Sequence, residues 1–487
     1  MQKTTGQVVF FAVMLMTMGA CTSMAPHYER PGLPVPAAYS EATEAALPSG
    51  PSVAMPTARA AELGWRDYFT DSQLRDLIDQ ALQNNRDLRL AALRIEEARA
   101  VYQIERSALL PTVGVSAGAS RARLPGDLSP LGRAMVSSQY QADLGLASWE
   151  IDLWGRIRSL KDAALESYLA SEEAHCAVTL SLIAQVAQTW LGLRELDERI
   201  TLARQTVDSR AESLRIFRRR VEVGATSKLD LTQVEVLWQQ ACTLLSQLEQ
   251  QQATQGHALE LLLGTAPRLS AAAKRSDDQE LLRELMPGLP ADLLENRPDI
   301  IAAEHRLKAA NANIGAARAA FFPQVTLTGA FGTASSQLDG LFASGSRAWN
   351  YAPNISLPIF DSGLRRANLE LNEVRRDQAV AQYEQSIQQA FRDVLDALST
   401  RRALEDQVRT LRATQAAQDE RARLARLRYD NGAAAFLEVL DAERDQLAVQ
   451  QLLVQTRHAL LASRVGLYAA LGGGSRITKE QSENASP

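Results

Sequence analysis

The stretches ERSALLPTVGVSAG (residues 105–118) and ARAAFFPQVTLTGA (317–330) write the same break twice, 212 positions apart. In each, an alanine-rich helical run meets a proline, and strict alternation of apolar and small polar residues follows. Proline lacks a backbone donor and stops the helical ladder. A period of two marks a strand with unlike faces. One helix-to-strand unit is thus present in two copies.

Aligning residues 87–111 with 299–323 gives eight identities in 25 positions, among them Asp87/Asp299, Arg94/Arg306, Arg106/Arg318 and Pro111/Pro323. Downstream the offset becomes 208 and holds through Gly155/Gly363, Gly224/Gly432, Leu229/Leu437 and Gly264/Gly472. This self-similarity divides the chain into a first repeat, residues 65–267, and a second, 268–474. In both, a helix of roughly 25 residues leads to the proline, as its apolar spacing indicates. Two alternating runs follow around a loop: Val113, Val115 and Ala117, then Tyr140 to Leu146; in the second copy Val325 to Phe331, then Trp349 to Ile359. Each is about 10 residues, enough for a tilted strand to cross a bilayer. Tyr140, Trp349 and Tyr351 open the returning runs, where an interfacial aromatic belt would lie. A core hairpin of a soluble α+β protein would carry the same pattern.

Long helices come next. From Arg156 to about Val223 there is no proline, and Leu193, Ile200, Val207, Leu214 and Val221 recur every seven residues, with Leu196, Ala203 and Phe217 three later. That is a coiled-coil seam. Gly224 breaks it, and a return helix from Leu229 carries Val234, Ala241 and Leu248. The second repeat has the same form from Gly363 through a turn at Gly432, returning along Leu440, Leu447, Val454 and Leu461.

The N-terminus decides between membrane and soluble readings. Lys3 precedes an apolar run from Val8 to Met18, which suits a secretory leader, and Met18-Gly19-Ala20-Cys21 resembles a bacterial lipobox. Residues 1–20 are read as a lipoprotein signal peptide, Cys21 as the lipidated residue, and 21–64, rich in proline and alanine, as an extended tether. Thr22 and Ser23, not an acidic residue, stand directly after Cys21, which points to the outer membrane by resemblance to lipoprotein sorting. Residues 475–487 are polar and read as a disordered tail. Cys176 and Cys242 fall far apart along the long helices, too far for a disulfide, and are expected to be small buried side chains.

Formal charge is −5, so nothing points to nucleic acid. Arg218-Arg219-Arg220 sits at a helix C-terminus, where cations offset the dipole. Five scattered histidines show no metal-ligand spacing, and no nucleophile elbow, P-loop or dinucleotide fingerprint stands out. Neither enzyme activity, a cofactor nor a metal is expected.

Two repeats supply four membrane-length strands and two helical hairpins. Strand edges cannot lie unpaired in hydrocarbon, so a membrane sheet must close. Four strands are too few for a barrel, since the smallest have about eight. The chain must oligomerise, and three copies would supply twelve strands.

The run NRPDIIAAEHRLKAANANIGAARAAFFPQVTLTGAFG (296–332), the turn segments RRRVEVGATSKLDL (218–231) and RLRYDNGAAAFLEVLDAE (426–443), and the ending YAALGGG (468–474) resemble TolC-family outer-membrane factors, in the lipoprotein branch that serves resistance–nodulation–division efflux pumps. The resemblance covers about residues 20 to 474. It implies a mainly α protein with membrane β: a homotrimer whose hairpins form an α-barrel and whose strands share a twelve-stranded transmembrane β-barrel in outer-membrane lipid. It also implies a passive exit duct for drugs and other small toxic compounds, fed by an inner-membrane pump of that class through a periplasmic adaptor, or membrane fusion protein. Type I protein secretion is the alternative within transport; a lipid-anchored periplasmic coiled-coil spacer is the alternative outside it.

The resemblance places adaptor docking at the hairpin tips, on Gly224, Ser227, Leu229, Gly432 and Leu437, which would otherwise be turn formers only. It places a periplasmic gate at Asp441, Arg428 and Tyr429. Arg428 and Asp441 flank Gly432 on opposite arms and are expected near each other, bonded there or to a neighbouring hairpin. Three copies of Asp441 would form an acidic ring at the entrance. The first repeat has Val221 and Gln233 where the second has Tyr429 and Asp441, so the hairpins should contribute unequally. A surface ion pair at Asp441 is the plainer alternative.

Overall fold

The computed structural model describes residues 23–36, 60–129, 132–267, 281–283, 285 and 292–475. Cys21, the leader and the tail beyond Ser475 lie outside the described residues. After short helical turns at Ala60–Glu62 and Trp65–Tyr68, the first repeat runs α1 (Ser72–Asn84), α2 (Arg86–Ser107), β1 (Val113–Leu124), β2 (Met135–Glu150), α3 (Arg156–Glu222) and α4 (Lys228–Leu263). From a helical turn at Asp292–Asn296, the second runs α5 (Pro298–Ala319), β3 (Gln324–Ser335), β4 (Arg347–Ser356), α6 (Leu364–Asp430) and α7 (Phe436–Ala470).

The proline does not cut its helix directly. Helix α2 ends at Ser107, ahead of Pro111, and α5 ends at Ala319, ahead of Pro323. In between, bonds tighten to i→i+3: Leu110 N–H donates to Ser107 O (3.0 Å) and Phe322 N–H to Ala319 O (3.0 Å). A residue before proline is barred from the helical region, so the ladder winds down a turn early.

Contacts group the described chain into two compact units, and neither is a repeat: each draws segments from both. The first comprises residues 23–32, 94–172 and 302–384, and holds a four-stranded antiparallel sheet in the order β1-β2-β3-β4. The β2–β3 pairing is the seam between the repeats. Register sets whole rows on one face: Val115–Leu144–Phe331–Trp349, and below it Val113–Leu146–Gly329–Tyr351. On the other face the rows are Ser116–Asp143–Gly332–Ala348 and Gly114–Gly145–Ala330–Asn350. One face is broad and apolar, with Val115 83% and Trp349 73% exposed. The other is small and polar. A bulge between Leu146 and Trp149, with Ser148 at φ 39°, returns Trp149 to the apolar face opposite Leu327.

The strands depart from expectation at their ends. Strand β2 begins at Met135, so Tyr140 lies inside it, and β4 stops at Ser356, leaving Ile359 outside and 95% exposed. The described start of the tether is docked, not loose. Asn311 Nδ2 donates to Pro26 O (2.8 Å), Tyr28 Oη to Glu304 (3.1 Å), and Arg30 to both Glu304 oxygens (3.2 and 2.8 Å). Glu304 is only 4% exposed, with Lys308 3.3 Å away. Burial alone would raise its carboxyl, but Lys308 and Arg30 outweigh that and hold it below the usual range. A buried carboxylate needs such partners, and the tether supplies one.

The second unit comprises residues 33–36, 60–93, 173–301 and 385–475 where described, and is helical. Its seam follows the heptads in part: Ile200, Leu214, Leu196, Ala203 and Phe217 are buried, as are Val234, Ala241, Leu248, Leu440, Val454 and Leu461, while Leu193, Val207, Val221 and Leu447 are only half-buried. At the next position of the spacing that gives Leu196 and Ala203 stands Arg210, 5% exposed, which donates to Leu237 O (2.7 Å). Cys176 and Cys242 remain thiols and are half-buried, short of the full burial expected. Both return helices close against the start of a repeat. Gly264 (φ 67°) passes Asn84 O, and Gly472 (φ 72°) passes Asn296 O. A β-carbon at Gly472 would stand 2.5 Å from that oxygen.

Gly264→Ala and Gly472→Ala should each lower the unfolding midpoint in detergent. The left-handed backbone alone costs about 1–2 kcal/mol, and the contact adds to it. Gly256→Ala, a helix-interior site with open space around it, should hold or raise the midpoint. A Gly472→Ala midpoint at or above wild type would contradict the close approach.

Candidate functional site

The two hairpin turns are built alike. Each long helix ends at a glycine in the left-handed region, Gly224 at φ 72° and Gly432 at φ 71°. The residue after each glycine bonds back: Ala225 N–H to Arg220 O (2.7 Å) and Ala433 N–H to Arg428 O (2.8 Å). Such an end satisfies carbonyls the helix leaves open, and it requires a residue tolerant of positive φ.

Side chains then diverge. In the first turn Ser227 caps α4: its hydroxyl accepts from Asp230 N–H (3.1 Å), while the Asp230 carboxylate accepts from Ser227 N–H (3.2 Å) and Oγ (2.7 Å). Thr226 Oγ1 adds a fourth bond (2.9 Å), and these hydroxyls hold the Asp230 carboxyl below its ordinary range, Ser227 foremost. In the second turn Ala435 stands at the cap with no side-chain bond. Glu438, the counterpart of Asp230, therefore turns across the loop to Arg428 (2.6 Å).

The two equivalent arginines thus find different partners. Arg428 stays within its own hairpin. Arg220, whose local carboxylate is committed to the cap, reaches the Tyr429 hydroxyl of the other hairpin. Its guanidinium lies 5.5 Å from the Phe217 ring and 5.8 Å from the Tyr429 ring. Phe436 fills the space between hairpins, 4.6 Å from Phe217 and 4.9 Å from Tyr429 between ring centroids. Leu440 is buried with Leu214, Phe217 and Val234 of the first hairpin.

The residues singled out from sequence are therefore only partly brought together. Tyr429 joins the two hairpins. Arg428 does not pair with Asp441, contrary to expectation: Glu438 is nearer the turn and takes the guanidinium, while Asp441 bonds Arg444 one turn along its own helix (3.1 Å). Two residues on, burial pushes the Glu443 carboxyl up, with Arg426 3.9 Å away. Leu229 and Leu437 are 66% and 49% exposed, and Gly224 and Gly432 have nothing near them, so these four present an open surface. Ser227 is spent on capping. Sequence reading missed Arg220, Phe217, Phe436 and Glu438 as turn residues. The Arg218-Arg219-Arg220 run was the one available signal, and dipole compensation accounted for it too readily.

Comparison with known proteins agrees with this architecture. A family model described as outer membrane efflux protein matches residues 77–265 and 289–473. The chain is 43% identical to the outer membrane protein OprJ of Pseudomonas aeruginosa over 463 residues, covering 95% of each chain. It is 45% identical to the toluene efflux pump outer membrane protein TtgF of Pseudomonas putida over 467 residues, covering 96% of each. The open state of the MtrE outer membrane channel of Neisseria gonorrhoeae superposes with a TM-score of 0.82 at 37% identity, over 93% of this chain and 98% of that one.

The unequal caps are directly measurable. Ser227→Ala should cost about 0.5–2 kcal/mol of local helix stability and speed hydrogen exchange in the first turn of α4. Ala435→Ser should slow exchange in the first turn of α7. Unchanged exchange at both turns would remove the claimed asymmetry.

Proposed function

This chain belongs to the outer membrane efflux protein family, and from that membership we propose how its parts work together. It is an outer-membrane channel component of an efflux pump, and a channel family is not an enzyme class. Three copies close into one duct, twelve strands from four each. Rows headed by Val115 and Val113 meet lipid, and the Gly, Ser, Ala and Asn rows line water. The observation that carries this reading is a sheet with two unlike faces and too few strands to close alone.

Passage through such a lumen is diffusion, and the energy belongs to an inner-membrane pump of the resistance–nodulation–division class. A periplasmic adaptor docks on the hairpin turns, and the exposure of Leu229 and Leu437 beside the two glycines supports that role. Drugs and other small toxic compounds are the proposed cargo, in keeping with the toluene named for the TtgF pump. Cys21 carries lipid, and the docked segment behind it ties the anchor to α5.

The gate is proposed at the turns: Tyr429 with Arg220, Arg428 with Glu438, and Asp441 facing the entrance. Exposed ion pairs contribute under about 1 kcal/mol each, and a close aromatic pair about 0.5–1.5 kcal/mol. A closed state of that strength is one an adaptor can undo.

Purified trimers should conduct in planar bilayers. Arg220→Ala and Tyr429→Phe should raise single-channel conductance and admit large antibiotics such as vancomycin into cells, and their double substitution should add little to either alone. Asp441→Ala, which removes the acidic ring at the entrance, should instead lower the preference for cations over anions. No conductance from the wild type or any variant would leave a periplasmic spacer as the better reading. Conductance unchanged by Arg220→Ala and Tyr429→Phe would move the gate elsewhere.

A further inference from the structure

The polar face of the sheet carries two carboxylates, Asp143 and Glu150. Glu150, at the strand end, is neutralised: Arg156 donates to both its oxygens (2.9 and 2.7 Å) and Gln324 adds a third bond (2.6 Å). Asp143 lies further along β2, in the row Ser116–Asp143–Gly332–Ala348. It accepts from the Ser116 hydroxyl (2.9 Å), and no cation pairs with it among the described residues.

The strand arginines fall elsewhere. Arg347 shares a row with Ala117, Ala142 and Thr333 on the apolar face and stands 6.0 Å from the Phe331 ring. Arg121 and Arg123 alternate onto that same face, beyond the apolar rows. Around Asp143 the wall is stripped of bulk. A β-carbon on Gly332 would lie 2.5 Å from Asp143 Cα, and one on Gly145 would lie 3.3 Å from Asp143 Oδ1. The carboxylate therefore stands over a floor of glycine and alanine, as the uncompensated charge of that face.

We propose that Asp143 is a specificity-determining residue of the barrel: three copies at one level give the lumen a negative potential that favours cationic over anionic solutes. The proposal rests on the barrel reading above. Carboxylate rings select cations in wide pores, and their reach is set by salt. The Debye length is about 10 Å at 0.1 M and about 30 Å at 0.01 M, so the preference is strong in dilute medium and fades in concentrated salt. It acts on the barrel itself, independently of the turns.

The test reads the potential locally. In a Cys176→Ser/Cys242→Ser background, Ala348→Cys places a thiol in the row of Asp143 two strands away, about 10 Å at normal strand spacing. Cationic and anionic methanethiosulfonates of similar size are applied from outside to intact cells, with Leu144→Cys on the lipid face as control. Ala348→Cys should react readily, and faster with the cation. Adding Asp143→Asn, which keeps an acceptor for Ser116, should lower the cation-to-anion rate ratio about fourfold at roughly 10 mM salt. That effect should shrink in concentrated salt, and Asp143→Glu should preserve the ratio. A ratio unmoved by Asp143→Asn overturns the proposal and leaves the barrel intact. A lipid-like silence at Ala348→Cys with reaction at Leu144→Cys instead overturns the inward assignment, and the barrel reading with it.

Discussion

An open sheet edge has no partner in hydrocarbon, and most of this molecule answers to that constraint. Water is absent there, so each unpaired backbone group costs several kcal/mol. Strands β1 and β4 each present such an edge. Closure by further copies removes both edges and fixes which face looks where. The alternation that puts Val115 and Leu144 on one face puts Ser116 and Asp143 on the other, so in the proposed barrel the first pair is outward and the second inward. The bulge at Ser148 puts Trp149 on the apolar face, where unbroken alternation would turn it to the polar one. Membrane contact and lumen chemistry are two readings of one register.

Duplication meets this demand economically, and the repeats have diverged at their turns. Backbone devices are kept: both turns use a left-handed glycine, and both return helices end on a glycine pressed to an asparagine carbonyl. Side chains at the turns are not kept. Ser227 and Asp230 give way to Ala435 and Glu438, and Val221 to Tyr429. One hairpin is closed upon itself by a capping box. The other, lacking a cap, spends its carboxylate on Arg428 and lends Tyr429 to its neighbour. Unequal hairpins follow from three substitutions on a common backbone.

Strong and weak interactions are correspondingly segregated. Heptad packing, buried tyrosines 4.3 Å apart at Tyr68 and Tyr468, and the Glu304 cluster hold elements that stay put. The turns are held by exposed polar contacts and a few aromatic rings. Contacts of that kind are individually small and readily exchanged for contacts with a partner.

Much of the architecture was legible in the sequence, because its signals are local. Proline after an alanine-rich run, a period of two, a period of seven and glycine at a reversal each act within a few residues. They placed both long hairpins nearly to the residue, as α3 at Arg156–Glu222 illustrates, and located all four strands but not their ends. The tip residues were legible only as a neighbourhood. Spacing could set Arg428 and Asp441 on facing arms, but could not say that Glu438 would intercept the arginine or that Arg444 would take the aspartate. Arg220 with Tyr429, Arg30 with Glu304, and Asp143 over Gly332 join residues 209, 274 and 189 positions apart. No short-range pattern encodes such pairs. They exist because packing and strand register bring those side chains within a few ångströms, and only the tertiary structure decides that.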